Sequence, residues 1–152
     1  MAEQAVSLQI KRLDPSELAW ANERYAEVDF LPSPATDFVA VVFVGDNPAA
    51  LGRVTQLTAT VGELGGMYVF PEFRGSGIAK QLVDYLVAEC GLDTLFCLPF
   101  EKLHDLYAAS GFLLHPPNDI VPEKVLSKHA WCNLHYPDRV LLMSRGSTGR
   151  PI

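Results

Sequence analysis

The stretch that most constrains this chain is residues 62–89, which read GELGGMYVF, PEFRGSG and IAKQLVDYLVAE. The first segment is an apolar strand. The last is an amphipathic helix with Ile78, Leu82, Tyr85, Leu86 and Cys90 on one stripe. Residues 93–98 (DTLFCL) follow as a near-continuously apolar strand, as suits burial on both faces beside a crossover helix. A strand–helix–strand unit of this kind commits the chain to an α/β sheet with a parallel pair and a right-handed crossover. Arg74, Gly75, Ser76 and Gly77 form the turn into the helix. A helix start offers free N–H groups and the positive end of the helix dipole, and glycines let that backbone close on a ligand. The turn is therefore a candidate phosphate site.

The elements around this unit alternate in character. Residues 7–13 read as a strand, and residues 17–28 as a helix whose start is marked by Asp14-Pro15-Ser16-Glu17. Residues 37–45 and 49–57 read as a hairpin across the turn GDNP. Residues 100–110 read as a helix ended by Gly111, 112–115 as a strand, 116–119 as a turn, 122–136 as a helix with an incomplete apolar stripe, and 139–144 as a last strand. The order predicts an α/β fold: a mixed, mostly antiparallel sheet of six to seven strands flanked by helices. Gly65-Gly66 inside the strand 62–70 marks a bulge or a close backbone approach.

At 152 residues one domain is expected, spanning 1–144, with 145–152 as a frayed C-terminal tail. The net charge of −6 argues against general nucleic-acid binding, which needs clustered cations. No apolar run approaches the roughly 20 residues of a membrane span, and the N-terminus lacks the pattern of a secretory signal. Three widely spaced cysteines, Cys90, Cys97 and Cys132, read as reduced thiols in a cytoplasmic protein. No Cys/His cluster has zinc spacing, so no metal is expected.

The glycine turn has neither the G-x-G-x-x-G of dinucleotide-binding folds nor the G-x-x-x-x-G-K-[ST] of a P-loop. Instead Val69-Phe70-Pro71-Glu72-Phe73-Arg74-Gly75-Ser76-Gly77-Ile78-Ala79 resembles the acetyl-CoA signature of the GNAT family of N-acetyltransferases, with Arg74, Gly77 and Ala79 on signature positions. Leu106-Tyr107-Ala108-Ala109-Ser110-Gly111-Phe112 resembles that family's L-Y-x-x-x-G-F segment. The element order matches the family fold over nearly the whole chain. The resemblance implies acetyl transfer from acetyl-CoA, as co-substrate, to a primary amine of a small molecule, amino acid or peptide, by direct attack in a ternary complex. It implies that backbone N–H groups over Arg74, Gly75, Ser76, Gly77, Ile78, Ala79 and Lys80 hold the pyrophosphate. It also implies that Met67 and Val69 bond the pantetheine arm where Gly65-Gly66 opens the sheet. Dimers are common in that family, and nothing in this sequence marks an interface.

An amine acceptor arrives protonated and needs a base before it can attack a thioester. Glu63, at the start of the cofactor strand, is the candidate base, against the plain reading of an exposed strand-end carboxylate. If alternation ran unbroken it would share a face with Met67 and Val69, and a bulge would reset that. Tyr107 is the candidate acid for the departing thiolate, by its position in the resemblance, against ordinary helix packing. The N–H of Met67 or Tyr68 could polarise the thioester carbonyl. Phe100 stands where the family often has an Asn, which puts one cofactor hydrogen bond in doubt. His104, one turn before Tyr107, reads better as a surface residue, and Cys97 as a buried thiol of low reactivity.

Residues 30–36 and 117–138 are the candidate acceptor segments. Trp131, Cys132, His135 and Tyr136 could line a pocket or pack on the sheet. Asp29, Asp37 and Asp119 could hold an ammonium group or be solvated. Two other functional classes remain open on the sequence: a CoA-ester-binding regulatory module without turnover, and an acyltransferase using another donor or an oxygen nucleophile.

Overall fold

The computed structural model describes residues 7–114 and 120–146. The sequence expectations for the turn 116–119, for His115, for Asp119 and for the tail beyond residue 146 lie outside them.

The elements are β1 (Leu8–Arg12), α1 (Leu18–Ala26), β2 (Phe38–Val44), β3 (Asn47–Gln56), β4 (Val61–Val69), α2 (Ile78–Glu89), β5 (Thr94–Cys97), α3 (His104–Ala108), β6 (Leu113–Leu114), α4 (Glu123–His135) and β7 (Met143–Gly146). Short 3-10 turns at Pro15–Glu17 and Glu101–Leu103 lead into α1 and α3. Asp14 caps the first of these turns by accepting from the Ser16 amide at 2.9 Å, as its place before Pro15 predicts. One sheet of seven strands runs in the order β1-β2-β3-β4-β5-β7-β6. The pair β4–β5 is parallel, with α2 as the crossover; every other pair is antiparallel.

Both faces of the sheet are covered. On one, Ile78, Leu82, Val83 and Leu86 of α2 and Tyr107 of α3 bury against Ala40, Val42, Val54, Leu64, Cys97 and Met143. The other face has two patches. Ala21 and Tyr25 of α1 pack on Val39, Val41, Leu51, Tyr68 and Phe70. Val125 of α4 packs on Phe96, with Val61, Leu98 and Leu142 beside them.

The last strand differs from its expected span. Val140 and Leu141 leave the sheet line to meet the segment after β5: Val140 bridges Phe100, and the Leu141 amide donates to the Pro99 carbonyl at 2.8 Å. Regular pairing starts at Met143 and includes Arg145 and Gly146, opposite Leu95 and Thr94. Arg145 is thus strand, not the start of the tail. Its Nε donates to the Ser110 carbonyl at 2.9 Å, which fastens the end of α3 to the sheet. Helix α4 buries Val125 and Cys132, seven residues apart, and leaves Ala130 and Leu134 of the expected stripe exposed.

Candidate active site

The expected bulge is present. Leu51 pairs with Tyr68 and Arg53 with Gly65, so Gly66 and Met67 together face Gly52. The extra residue is admitted by Gly66 at φ +59°, a left-handed conformation that costs glycine little. The bulge resets the alternation of β4. Before it, Leu64 faces α2, while Val61 and Glu63 face α4. After it, Met67 and Val69 pack on the α2 side and Tyr68 on the α1 side. Glu63 therefore does not share a face with Met67 and Val69.

Beside the bulge the sheet opens. Parallel pairing of β4 with β5 runs from Val61↔Thr94 to Leu64↔Cys97 and stops, because β5 ends while β4 continues to Val69. Among the described residues, 65–69 thus have no strand partner on that edge. The Phe70 amide donates to the Ala49 carbonyl at 2.8 Å, on the β3 side. Val69, one residue earlier, directs its backbone to the open edge, where its carbonyl accepts from Arg74 Nε at 3.3 Å. Met67, two residues before Val69, presents its backbone to the same edge by alternation.

The glycine turn stands at the mouth of this opening. Gly75 and Gly77 have φ of +80° and +77°, and a Cβ at either would meet nothing within 4 Å. Backbone conformation, not crowding, demands glycine there. Gly77 is the N-cap of α2 and no side chain caps the helix, so the amides of its first turn are unspent. A cavity of about 290 Å³ lies on this turn, lined by Val69, Phe73, the run 74–80 and Leu106. It gathers Val69, Arg74, Gly75, Ser76, Gly77, Ile78, Ala79 and Lys80 from the sequence-derived set. Met67 and Tyr68 are outside the lining. The Tyr68 side chain turns to α1, where its hydroxyl donates to Glu27 Oε1 at 3.1 Å. Lys80 Nζ pairs with Asp84 Oδ2 at 2.6 Å, and Asp84 Oδ1 accepts from Ser110 Oγ at 2.8 Å. That pair joins α2 to the end of α3 behind the turn.

Two candidate proton-transfer residues flank the divergence of β4 and β5. Tyr107 is 5% exposed, and its hydroxyl has no hydrogen-bond partner among the described residues. Burial foremost, and then the neighbouring Cys97, push its phenol well above the ordinary range. The Cys97 thiol is itself pushed well up, first by burial and then by the Glu63 carboxylate. Cys97, the last residue of β5, thus feels Glu63 and in turn acts on Tyr107. This thiol is a protonated core group and not a nucleophile.

Glu63 is not a solvated strand end. Its side chain is 13% exposed and its Oε2 holds Lys128 Nζ of α4 at 2.6 Å. Lys128 is 65 residues away in sequence, and nothing in the local pattern of α4 announces the pair. Tyr25 of α1 donates its hydroxyl to the Gly66 carbonyl at 2.8 Å, which braces the bulge from the α1 side. Burial raises the Tyr25 phenol as well, so this donor keeps its proton.

The remaining candidates sit elsewhere. His104 pairs with Asp105 at 2.9 Å on the surface. Phe100 lies edge-on to Tyr136, ring centres 5.5 Å apart. Trp131 is 52% exposed and stacks on His135 at 4.1 Å, away from the sheet. A second cavity, of about 400 Å³, lies between α4 and residues 139–142 and is lined by none of Trp131, Cys132, His135 and Tyr136. Asp29 is exposed and Asp37 is buried. Among the described residues no group of three or more His, Cys, Asp or Glu is placed to hold a metal, and no helix is long and apolar enough to cross a membrane.

The sequence profile of the acetyltransferase (GNAT) family matches residues 7–112, which hold the opened strand, the glycine turn and Tyr107. The chain belongs to the GNAT family. Solved structures share this GNAT fold. Rv2747 of Mycobacterium tuberculosis, in complex with CoA and NLQ, superposes with a TM-score of 0.69 at 16% identity, over 91% of this chain and 98% of that one. The ribosomal-protein-S18-alanine N-acetyltransferase of Escherichia coli gives 0.65 at 15% identity, over 92% and 94%. N-acetylglutamate synthase of Neisseria gonorrhoeae, complexed with coenzyme A and L-arginine, gives 0.66 at 15% identity over 95% of this chain; the chain spans 34% of that protein's length. At these identities the likeness is one of fold. No curated protein matches the chain in sequence.

Proposed function

We propose that this GNAT member transfers an acetyl group from acetyl-CoA to a primary amine within a ternary complex. The observation that carries the reading is the uncapped α2 start behind Gly75 and Gly77, set at the mouth of a sheet that opens beside Met67 and Val69. The turn amides over residues 74–80 would hold the pyrophosphate, as a helix start holds anions. The open edge of β4 would hold the extended pantetheine arm by strand-like bonds. Acetyl-CoA supplies an activated thioester.

The residues of the chain supply the proton traffic. Glu63, on the α4 side, accepts the proton of the amine. The amine nitrogen forms its bond to the carbonyl carbon as the bond from that carbon to sulfur breaks. Tyr107, on the α2 side, gives its proton to the departing sulfur; burial keeps its phenol protonated at neutral pH. The Met67 or Tyr68 amide would polarise the carbonyl oxygen. The two proton carriers lie on opposite faces of the sheet, and the gap between β4 and β5 joins them. The chemistry needs no metal, and a cytoplasmic location fits the supply of acetyl-CoA.

The deciding experiment is binding of acetyl-CoA to the full chain by calorimetry, beside Gly77→Val. Wild type should bind, and the variant should not, because a β-branched residue cannot hold the φ of +77° that shapes the turn without strain. Equal binding by both would remove the turn from the cofactor site.

A further inference from the structure

Arg53 lies on the same side of the sheet as Glu63, opposite Gly65 and two pairs along from Thr55↔Glu63. Its Nη1 donates to the Leu31 carbonyl at 2.8 Å and to Ser33 Oγ at 2.7 Å. Its guanidinium lies 4.5 Å over the Tyr25 ring. These contacts hold the plane of the group in place. They leave Nε and Nη2 without an acceptor among the described residues. Arg53 is half-buried, yet no carboxylate among the described residues is within ion-pair distance. That includes Asp37, whose charge acts on the same Tyr25. The guanidinium charge is thus met only by neutral oxygens and an aromatic face, which leaves it open to an anionic partner.

The backbone between Arg53 and Glu63 is bare. A Cβ at Gly65 would have only Glu63 Oε2 near it, at 3.9 Å. A Cβ at Gly66 would stand 2.6 Å from Arg53 Nε. The two glycines thus leave a floor on which the guanidinium lies at one end and the carboxylate at the other. Residues in this diagonal relation across strands are about 7–8 Å apart. A small acceptor that carries both an amine and a carboxylate presents one group to each end.

We propose that the acceptor is an amino acid, or a closely similar amino-carboxylate, and that Arg53 is the residue that selects it. The acceptor's carboxylate takes the two open N–H donors of Arg53 side by side, the fork geometry a guanidinium offers. Its amine faces Glu63. The assignment rests on Glu63 as the acceptor-side base.

The test is steady-state acetylation by the full chain with acetyl-CoA of matched acceptors: the L-amino acids, their carboxamides, and the corresponding amines without the carboxyl group. The acids should exceed both analogues in kcat/KM by roughly ten- to a hundredfold, the worth of a charge-assisted pair. Arg53→Gln should bring that ratio towards one without altering the KM for acetyl-CoA. Arg53→Lys, which keeps charge but not the fork, should give an intermediate ratio. Ser33→Ala removes one bond to the loop and keeps the guanidinium, so it should preserve the preference. A ratio near one in wild type overturns the proposal. So does an Arg53→Gln variant in which acids and analogues fall together, the mark of a loop clamp. Turnover of amines regardless of the carboxylate would leave the transferase reading standing; turnover of none of these acceptors would remove both.

Discussion

The Tyr25 hydroxyl donates to the Gly66 carbonyl at 2.8 Å, so a fully buried residue of the first helix holds the bulge of the central strand. Tyr25→Phe keeps the ring and strands that carbonyl. It should cost about 1–3 kcal/mol in urea unfolding, the range for a buried polar group left unpaired. Because the bulge shapes the open edge of β4, acetyl-CoA affinity should fall as well. Full stability in the variant would show that the bulge stands without this brace.

The Lys128–Glu63 pair gives opposite predictions for its two members. Glu63→Gln removes the base and should lower kcat by about 10²–10⁴-fold, with little change in acetyl-CoA binding. Lys128 is half-exposed, so Lys128→Met should alter stability by less than about 1 kcal/mol. It should lower the KM for the amine, because the incoming ammonium no longer has to displace Lys128 from Glu63. An unchanged amine KM would mean that Lys128 and the acceptor do not compete.

Tyr107→Phe should lower kcat by about 10²-fold or more while acetyl-CoA affinity and the unfolding midpoint stay near wild type. Its hydroxyl has no partner among the described residues, so little folded-state bonding is lost with it. Wild-type turnover would take Tyr107 out of the chemistry.

Stability should fall in alkali. Burial raises Cys97 above its ordinary 9.0, and Tyr25 and Tyr107 above their ordinary 10.0. Below those values both folded and unfolded chains keep these protons, and the full stability is present. Above them the unfolded chain loses protons that the folded chain retains, so each group draws the equilibrium towards unfolding by up to about 1.4 kcal/mol per pH unit. Urea midpoints at about pH 8 and about pH 10.5 should differ, and the double variant Tyr25→Phe, Tyr107→Phe should shrink the difference. Equal midpoints in wild type would contradict the burial of these groups.

What could be read from the sequence was what short-range pattern controls. The strand, glycine turn and helix of 62–89, the crossover to β5 and the bulge at Gly65-Gly66 each announce themselves within a few residues. The facing of Glu63 could not be read, because one extra residue inverts the alternation beyond it. Its pairing with Lys128 joins positions far apart in the chain and depends on where α4 docks. Arg145 resembled a polar tail, since strand pairing with Leu95 and the bond to Ser110 are both non-local. In the sequence Arg53 is one polar residue of an ordinary hairpin strand. Its significance comes from what surrounds it: Tyr25 beneath, the Leu31–Ser33 loop alongside, and two glycines where side chains would otherwise stand.

The single extra residue in β4 makes the strand work as two half-strands out of phase. The half ending at Leu64 is keyed to Thr55 and β5; the half starting at Met67 is keyed to Leu51 and the glycine turn. Substitutions can retune either half alone. A change of length cannot, because deleting one residue at 65–66 would rotate one half against the other and turn either Glu63 or Met67 and Val69 to the wrong side. The length of this segment is therefore a harder constraint on the site than the identity of most of its side chains.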